Sequence, residues 1–355
     1  MRGVNQAMKP DKDNLNTLLD ARGRRVRYLR VSLTDRCNFR CRYCMPPEGI
    51  HKLAHAEMLT LEELAEVVRV LVERLGITKV RVTGGEPLVR KGAPAFFRAV
   101  GLIPGIRDLS LTTNAYFLAG LAGEIRAAGV RRINISLDTL RKDRFEQLTR
   151  VDGLDQVLRG IAAAQQAGFS PIKINMVIMR NNLDEAGAIL RFGMEHGFQV
   201  RFIELMPTHP GNADQFVSAE EARAALGREF RLEPASGDAL RVPAAQANPG
   251  ERQPAPPAGP NCAARLYRID GTENLCGFIS PVSTPFCLDC DRIRLRGDGQ
   301  LMPCLSEEQH FDLKPYVRPT LREAELAEFV RAALAHSKAE VPRERRIQAM
   351  WRIGG

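Results

Sequence analysis

The segment VSLTDRCNFRCRYCMPP, at residues 31–47, leads from an apolar β-branched run directly into three cysteines. Cys37, Cys41 and Cys44 have the spacing C-x3-C-x2-C, and the loop contains no histidine. A zinc site needs four protein ligands, or three and a water molecule. Three thiolates can instead hold a four-iron four-sulfur cube by three corners and leave the fourth iron open to a ligand. The spacing therefore favours an iron–sulfur cluster over zinc.

Outward from this segment, the first 210 residues repeat one pattern, a short apolar run followed by a helix-like stretch. The strand-like runs lie at 27–34, 79–85, 108–114, 132–138, 172–178 and 200–206, and the helix-like stretches lie at 61–75, 94–102, 117–128, 154–167 and 184–196. This alternation predicts parallel strands joined by helical crossovers. Six such units are too few for a closed eight-stranded barrel. The sequence therefore predicts an α/β fold with a partial (βα)6 TIM-type barrel, whose active face is at the carboxyl ends of the strands.

Unusual residues follow the strands of this predicted barrel. The first cysteine triplet follows the first strand, and GGEP, TTN, SLD and ELM end four of the others. Catalytic groups gather at this face of barrel folds. We therefore expect these motifs to belong to one site.

A second cysteine triplet lies in FCLDCDRIRLRGDGQLMPC, where Cys287, Cys290 and Cys304 have the spacing C-x2-C-x13-C. A Gly-Asp-Gly turn between two strand-like runs predicts a hairpin that brings Cys304 back beside the other two. A structural zinc knuckle is the alternative reading, and it needs one more ligand. The available ligands for it are Cys262, Cys276 and His310.

Two arginines lie within the second triplet. Arg292 and Arg294 alternate along the strand-like run, so both side chains point to one face. Two guanidinium groups beside an open cluster make a wall that binds anions, and phosphate in particular. A phosphorylated substrate is therefore expected to reach the second triplet.

The bulk composition limits the class of protein. The 355 residues carry a net charge of +9, which suits nucleic acid or an anionic small molecule, but no basic tail concentrates this charge. We therefore favour a charged pocket and expect no nucleic-acid partner. No apolar run is long enough to cross a membrane, and the N-terminus lacks a signal-peptide core, so a cytoplasmic location is expected.

The chain divides into four segments on composition and pattern. These are a polar N-terminal arm at 1–24, the barrel at 25–234, a flexible loop rich in Pro and Ala at 235–261, and a C-terminal α+β extension at 262–355 with the second triplet and a helix near 321–336. Clustered thiols in a reducing compartment indicate metal ligands rather than disulfides. Cys262 and Cys276 stand apart from both triplets and have no assigned role.

The first triplet resembles that of the radical S-adenosylmethionine (SAM) superfamily, and from about residue 25 onward the chain resembles the GTP 3′,8-cyclase family (molybdenum cofactor biosynthesis protein A). The matching stretches are LTDRCNFRCRYCMP, RVTGGEPLVR, LTTN, RRINISLD, RFIELM, FCLDCDRIRL, DGQLMPCL and the terminal GG. The arginine pair and the double-glycine end are specific to the family rather than to the superfamily. The sequence departs from the family pattern at Ala115 and Asp291, where glycine and asparagine are common, and in its long Pro/Ala loop.

The resemblance implies a set of site residues. It implies two four-iron four-sulfur clusters, each with an open iron and three ligands, which are Cys37, Cys41 and Cys44 for the first and Cys287, Cys290 and Cys304 for the second. It implies SAM contacts at Tyr43, Gly85, Ser136 and Met206. It implies GTP contacts at Arg30, Arg81, Thr112, Lys173, Arg292, Ile293 and Arg294. Catalytic roles are implied for Arg30, Arg292, Arg294, Gly354 and Gly355.

The resemblance also implies the reaction and its partners. A 5′-deoxyadenosyl radical from SAM removes hydrogen from C3′ of GTP, and the resulting radical attacks C8. The cyclised aminyl radical is then reduced to give (8S)-3′,8-cyclo-7,8-dihydroguanosine 5′-triphosphate, the product of the first step of molybdopterin biosynthesis. The expected partners are an electron donor such as a flavodoxin or ferredoxin, and cyclic pyranopterin monophosphate synthase as the product acceptor. A homodimer is expected only at the level of the family.

Two other readings compete with this one. Another radical SAM enzyme with two clusters, for example one that modifies a peptide, usually carries more C-terminal cysteines than this chain does. A non-catalytic iron–sulfur or zinc protein that binds nucleic acid would fit the charge of +9. It would leave the motifs at the strand ends unexplained.

Overall fold

A computed structural model of the chain describes residues 16–50, 53–206, 210–235 and 263–339. The predictions for Cys262, Gly354 and Gly355, and for most of the N-terminal arm and the Pro/Ala loop, lie outside these residues. Within the described ranges, twelve strands form one mixed sheet. None of the described helices combines the length and the apolar character that a bilayer span needs.

The six predicted strands of the barrel are all present. They are β1 (Tyr28–Ser32), β2 (Lys79–Thr83), β3 (Asp108–Thr113), β4 (Arg132–Ser136), β5 (Ile172–Ile178) and β6 (Gln199–Glu204). The remaining strands are β7 (Leu232–Pro234), β8 (Ala264–Ile269), β9 (Leu275–Ile279), β10 (Arg292–Leu295), β11 (Gln300–Met302) and β12 (Phe311–Asp312). Strands β1 to β6 pair in parallel in chain order, as predicted.

The C-terminal extension lengthens this barrel at both edges. Strand β10 pairs in parallel with β1, and β9 pairs in parallel with β6, so eight parallel strands stand side by side. Antiparallel strands flank them, in the order β12-β11-β10-β1-β2-β3-β4-β5-β6-β9-β8-β7. Counting units in the first 210 residues gave six strands because β9 and β10 come from beyond the Pro/Ala loop. Their pairing is non-local and leaves no periodicity in the sequence.

Nine α-helices accompany the strands within the described residues. They are α1 (Leu61–Leu75), α2 (Ala93–Gly101), α3 (Ala122–Ala127), α4 (Lys142–Thr149), α5 (Leu154–Gln166), α6 (Ala186–Glu195), α7 (Ala219–Leu226), α8 (Lys314–Val317) and α9 (Glu323–Ala335). Helix α1 begins where the Thr60 hydroxyl accepts the Glu63 N–H, and it ends at Gly76, whose φ of 72° is left-handed. Helices α4, α7 and α8 were not predicted. The other six match their predicted positions, with α3 shortened by a preceding 3-10 turn.

Side chains alternate along the parallel strands between two environments. One set of apolar side chains is fully buried in a core shared with the helices. It includes Leu29, Val80, Ile133, Ile174 and Phe202. Most of their neighbours along the strands are polar, and Lys173, Asn175 and Arg201 among them are half-buried. In a parallel sheet that helices cover on both faces, the sequence of each strand is a nearly continuous run of apolar residues. The alternation therefore shows that only one face carries helices, while the other lines a polar lumen.

The segment predicted to be a polar N-terminal arm is partly packed. Leu18 is only 1% exposed and belongs to the main core. The backbone N–H of Val26 donates to the Leu18 carbonyl at 2.8 Å. Residues 16–24 therefore form part of the folded body.

Candidate active site

The first cysteine triplet lies in a compact loop at the carboxyl end of β1. The backbone N–H groups of Cys44 and Met45 both donate to the Cys41 carbonyl at 2.9 Å, which closes a tight turn. None of the three thiols forms a disulfide. Burial, with smaller contributions from the neighbouring Glu86 and Cys44, raises the pKa of Cys37 to about 12. The pKa of Cys41 rises well above its usual value from burial and from Cys44, Asp138 and Cys37, so the three thiols of the loop lie near one another.

The GGEP motif at the end of β2 fastens this loop by its backbone. The Gly85 N–H donates to the Thr34 carbonyl at 2.7 Å, and the Glu86 N–H donates to the Arg36 carbonyl at 2.8 Å. A Cβ atom on Gly85 would lie 2.3 Å from the Arg36 oxygen, and one on Gly84 would lie 2.8 Å from the Thr34 oxygen. Glycine is required here because the two backbones touch. The close approach is thus to the cysteine loop itself.

A buried carboxylate joins the ends of β2 and β3 behind the loop. Glu86 is 1% exposed and accepts hydrogen bonds from the Thr113 hydroxyl and the Asn114 N–H, both at 2.7 Å. Burial raises its pKa to about 7, against the lowering effect of these bonds. The Asn114 amide donates to Asn38 Oδ1 at 2.9 Å and lies 3.9 Å from Cys37 Sγ. The TTN motif therefore contacts the cysteine loop directly.

A second buried carboxylate holds Tyr43. The Tyr43 hydroxyl donates to Asp138 Oδ2 at 2.7 Å, and the Val177 N–H donates to Asp138 Oδ1 at 2.8 Å. Burial raises the pKa of Asp138 to about 6. Asp138, Glu86 and Asn114 were not predicted as site residues. They stand in the SLD, GGEP and TTN motifs, so their positions at strand ends were an available signal.

The predicted SAM contacts meet at this end of the barrel. Tyr43 and Gly85 belong to the loop and its support. Ser136 is the last residue of β4 and is paired with Asn175 of β5, and Met206 follows the end of β6. All four lie at the carboxyl ends of parallel strands, as predicted.

The second cysteine triplet lies at the opposite end of the barrel. Cys287 and Cys290 precede β10, which is parallel to β1, whereas the first triplet follows β1. Strands β10 and β11 form the predicted hairpin, with Leu295 opposite Leu301. Burial raises the pKa of Cys304, and the Cys290 thiol raises it further, so the hairpin brings these two sulfurs close together. The predicted active face was at the carboxyl ends of the strands alone, so the position of the second triplet was not predicted.

The arginine wall lines the lumen between the two triplets. Four residues are aligned across neighbouring strands at one level of the lumen. They are Arg294 of β10, Arg30 of β1, Arg81 of β2 and Ser110 of β3. One level nearer the second triplet, Arg292, Tyr28 and Lys79 are aligned in the same way. Strand β1 advances about 13 Å from its first residue to its last. The two cationic levels, at Tyr28 and at Arg30, are about 7 Å apart, so the cations line about half of this length, at the end nearer the second triplet.

The opposite side of the lumen carries the remaining predicted substrate contacts. Thr112, Asn134 and Lys173 are aligned across β3, β4 and β5. Asn175 is aligned with Arg201 of β6. Four further polar residues of the lumen were not predicted as substrate contacts, because the sequence has no motif at their positions and shows only the alternation of polar and apolar residues. They are Lys79, Arg201, Asn134 and Asn175. Ile293 differs from the other predicted contacts because its side chain is fully buried in the helix-covered core, so only its backbone faces a ligand.

Tyr28 stands among the cations at the base of the lumen. Lys79 Nζ lies 4.7 Å from the centre of its ring, and the guanidinium carbons of Arg292 and Arg81 lie at 5.5 and 5.6 Å. Burial raises the pKa of Tyr28, but Arg81, Arg30, Arg292 and Lys79 together lower it to about 8. Burial lowers the pKa of Lys79 to about 8. This end of the lumen is therefore dry and strongly positive.

Several polar atoms of the lumen are buried without a hydrogen-bond partner among the described residues. They include Nε of Arg292 and Arg294 and Oδ1 of Asn134 and Asn175. Burying such groups without partners is costly. A bound ligand with anionic and hydrogen-bonding groups would satisfy them.

Both triplets fit an iron–sulfur cube better than a single metal ion. Within the described ranges, no three side chains of His, Cys, Asp or Glu converge on a single-ion site. A four-iron cube is larger than one ion, and its thiolates spread around it. The three thiols of the first triplet, and Cys290 and Cys304 of the second, lie near one another without converging on one point, which suits the larger group.

The sequence matches two family models. Residues 31–193 match the radical SAM superfamily, and residues 198–341 match the family described as Molybdenum Cofactor Synthesis C. A GTP 3′,8-cyclase of Moorella thermoacetica is 41% identical over 338 residues, which are 94% of this chain and 98% of the relative. The GTP 3′,8-cyclase of Geobacter sulfurreducens is 41% identical over 345 residues, covering 95% and 99%.

Solved structures show the same fold at low sequence identity. SuiB of Streptococcus suis superposes with a TM-score of 0.56 at 15% identity, covering 88% of this chain and 66% of SuiB. SuiB bound to S-adenosylmethionine gives a TM-score of 0.54 at 13% identity, covering 80% and 60%. These matches extend the likeness of fold beyond the six-strand core.

Proposed function

The chain belongs to the GTP 3′,8-cyclase family, and we propose that it converts GTP to (8S)-3′,8-cyclo-7,8-dihydroguanosine 5′-triphosphate in the first step of molybdopterin biosynthesis. The observation that carries the proposal is a cation-lined lumen with a cysteine triplet at each end. Relatives of that name align with almost the whole chain. A protein that only binds metal and nucleic acid would not need a dry, enclosed, positive lumen.

At the first end, Cys37, Cys41 and Cys44 would hold a four-iron four-sulfur cluster with one open iron. When bound, that cluster supplies the electron that cleaves SAM. The chain itself would orient SAM through Tyr43, Gly85, Ser136 and Met206, and the bond from Tyr43 to Asp138 would fix the ring of Tyr43. Support comes from the shared position of these residues at one end of the barrel.

At the second end, Cys287, Cys290 and Cys304 would hold a second cluster of the same kind, beside GTP. Arg30, Arg292 and Arg294 would hold the nucleotide so that C3′ and C8 of GTP lie within reach of each other. Buried guanidinium groups form strong bonds to anions because water does not compete for them. The orphaned Nε atoms of Arg292 and Arg294 support this placement.

The triphosphate would lie along the rest of the lumen. Arg81, Thr112 and Lys173 face it from β2, β3 and β5, and the lumen adds Lys79 and Arg201 to the predicted set. A substrate held on several sides reacts as if at high effective concentration, and exclusion of water protects radical intermediates from side reactions. Hydrogen abstraction from C3′ and ring closure onto C8 would thus occur in a closed space.

Partners and location follow from the same proposal. A flavodoxin or ferredoxin would supply electrons, and cyclic pyranopterin monophosphate synthase would accept the product. Clustered free thiols favour a reducing compartment, so we propose that the reaction occurs in the cytoplasm. We also propose that the chain forms a homodimer, as expected for its family.

An anaerobic assay of the reconstituted full chain with SAM, dithionite and GTP tests the function. Mass spectrometry should detect 5′-deoxyadenosine and a cyclised nucleotide, and ATP should not replace GTP. Cleavage of SAM with unchanged GTP would overturn the assignment of GTP as the substrate. It would favour a radical SAM enzyme that acts on another molecule. Metal binding with no SAM cleavage would overturn the enzyme assignment.

The terminal Gly354 and Gly355 have a proposed catalytic role that a truncation tests. Removing both should abolish cyclisation while the iron content and the cleavage of SAM persist, because the pair would reach toward the substrate and not toward either triplet. Normal turnover by the truncated chain would show that the pair has no catalytic role.

A further inference from the structure

A buried lysine lies beside the second triplet and takes no part in the proposed substrate site. Lys338 is only 4% exposed, although it follows the end of α9. Its ammonium group donates to the Arg292 carbonyl at 2.6 Å and to the Cys290 carbonyl at 3.4 Å. Its backbone has a left-handed φ of 61° and donates to Glu307 Oε1 at 2.7 Å. The Lys338 side chain is therefore hydrogen-bonded to the backbone that connects Cys290 to Arg292 of the arginine wall.

The N-terminal segment holds the same loop from another direction. The Arg24 guanidinium donates to the Cys287 carbonyl at 2.5 Å and to the Leu288 carbonyl at 3.0 Å. Asp20, which is buried, holds Arg24 through its Oδ2 atom at 2.8 Å. The Ala21 N–H donates to the Ser337 carbonyl at 3.2 Å. Segments 20–24 and 337–338 are thus hydrogen-bonded to each other and to the backbone of the second triplet.

A buried ammonium group needs negative charge nearby. Its hydrogen bonds to Cys290 and Arg292 are to neutral carbonyl groups, which do not balance its charge. Burial lowers the pKa of Lys338, whereas the Cys290 and Cys304 sulfurs oppose this effect most strongly, ahead of Asp20. The ammonium group lies within hydrogen-bond distance of the backbone of Cys290, so a cluster held by Cys290 would have the Lys338 charge close by.

We propose that Lys338 is a positioning and charge-setting residue for the second cluster: it fixes the Cys290 backbone and raises the reduction potential of that cluster. A cation near an iron–sulfur cluster stabilises the reduced form, which carries one more negative charge. Hydrogen bonds to the backbone of a ligand also fix the orientation of its sulfur. The inference rests on the proposed presence of the second cluster.

The test uses the full chain with Cys37, Cys41 and Cys44 each changed to Ala, so that only the second cluster remains. In this background Lys338→Met removes the charge and the hydrogen bonds, Lys338→Gln retains a donor, and Lys338→Arg retains the charge. Ser337→Ala is the matched control, because it removes a buried hydrogen bond to Ala333 without changing charge at the cluster. Iron content and an EPR-monitored redox titration are measured after anaerobic reconstitution.

The expected result is a more negative reduction potential in Lys338→Met and Lys338→Gln, with Lys338→Arg and Ser337→Ala close to the parent. Failure of Lys338→Met to retain iron, with a normal melting temperature and normal iron in Lys338→Arg, also supports the proposal. An unchanged potential in Lys338→Met, or an equal loss of iron in Lys338→Arg, overturns the role of the charge. Absence of iron from the parent overturns the second cluster itself, and the inference with it.

Discussion

The two ends of the barrel hold the same kind of cysteine triplet in opposite electrostatic surroundings. The first is backed by the buried carboxyl groups of Glu86 and Asp138, which sit against the loop. The second is surrounded by Arg292, Arg294 and Lys338, and these three cations lower the pKa of Cys290 although burial raises it. The difference lies in the charge around the thiols and not in their number or spacing alone.

From this contrast we propose a different partner for each end. The carboxyl groups at the first end suit SAM, whose sulfonium group is a cation. The cations at the second end suit a triphosphate and exclude SAM by charge. Negative surroundings also disfavour the reduced form of a cluster, so the first cluster is expected to have the lower reduction potential and to be the stronger reductant. One chain can thus place two similar clusters in one lumen without exchanging their ligands.

The largest effect is expected from removing each triplet in turn. Changing Cys37, Cys41 and Cys44 to Ala should reduce 5′-deoxyadenosine formation to background, because the open iron that binds SAM at the first end is lost. Changing Cys287, Cys290 and Cys304 to Ala should abolish the cyclised nucleotide but leave slow SAM cleavage without GTP turnover. Product analysis by mass spectrometry distinguishes them, and identical defects in the two variants would break the division of roles between the two ends.

The next effect concerns the arginine wall. Arg294→Met should weaken GTP binding by about 10- to 100-fold, since a hydrogen bond to a charged group contributes about 1.5–3 kcal/mol. Cleavage of SAM in the absence of GTP should change little. Arg268→Met is the control, because that side chain lies on strand β8, outside the parallel strands of the lumen, and contacts Glu273. Equal losses of affinity in both variants, measured by calorimetry, would mean that net charge rather than the wall binds GTP.

A smaller effect is expected at the backbone contact of the first end. Gly85→Ala places a Cβ atom 2.3 Å from the Arg36 oxygen, which must move. Overpacking of this kind costs about 1–3 kcal/mol of unfolding free energy, and iron retention at the first triplet should fall with it. Gly123→Ala, where nothing lies within 4 Å, should be neutral or slightly stabilising. Normal iron content and melting temperature in Gly85→Ala would show that the loop is not held by this contact.

Local pattern predicted the six-strand core, the hairpin of the second triplet and the gathering of motifs at strand ends. It did not predict that β9 and β10 join the barrel, because their pairing with β6 and β1 connects segments far apart in sequence. The position of the second triplet at the opposite end follows from the direction of β10, which no residue type encodes. The lumen was nonetheless visible as an alternation of polar and apolar residues in KVRVT and IKINMVI, which a parallel strand with two buried faces would lack.

The smallest effect concerns proton uptake at the second end. Tyr28 is surrounded by Arg30 of its own strand, Lys79 and Arg81 of β2 and Arg292 of β10, and its pKa is lowered to about 8. A bound triphosphate would neutralise these cations and raise the pKa of the phenol toward its usual value of about 10. Binding would then take up a proton above pH 8, so the affinity for GTP should fall as pH rises from 8 to 10. Lys79, also with a pKa of about 8, would contribute in the same direction.

Tyr28→Phe isolates the share of this pH dependence that belongs to the phenol. The ring and its contacts with the cations remain, so the affinity at pH 7 should stay within about twofold of the wild-type value. Between pH 8 and 10 the loss of affinity should become shallower, because only Lys79 still takes up a proton. Calorimetry in buffers of different ionisation enthalpy counts the protons directly. An unchanged proton uptake in Tyr28→Phe would place the titrating group elsewhere and would remove Tyr28 from the electrostatic contrast between the two ends.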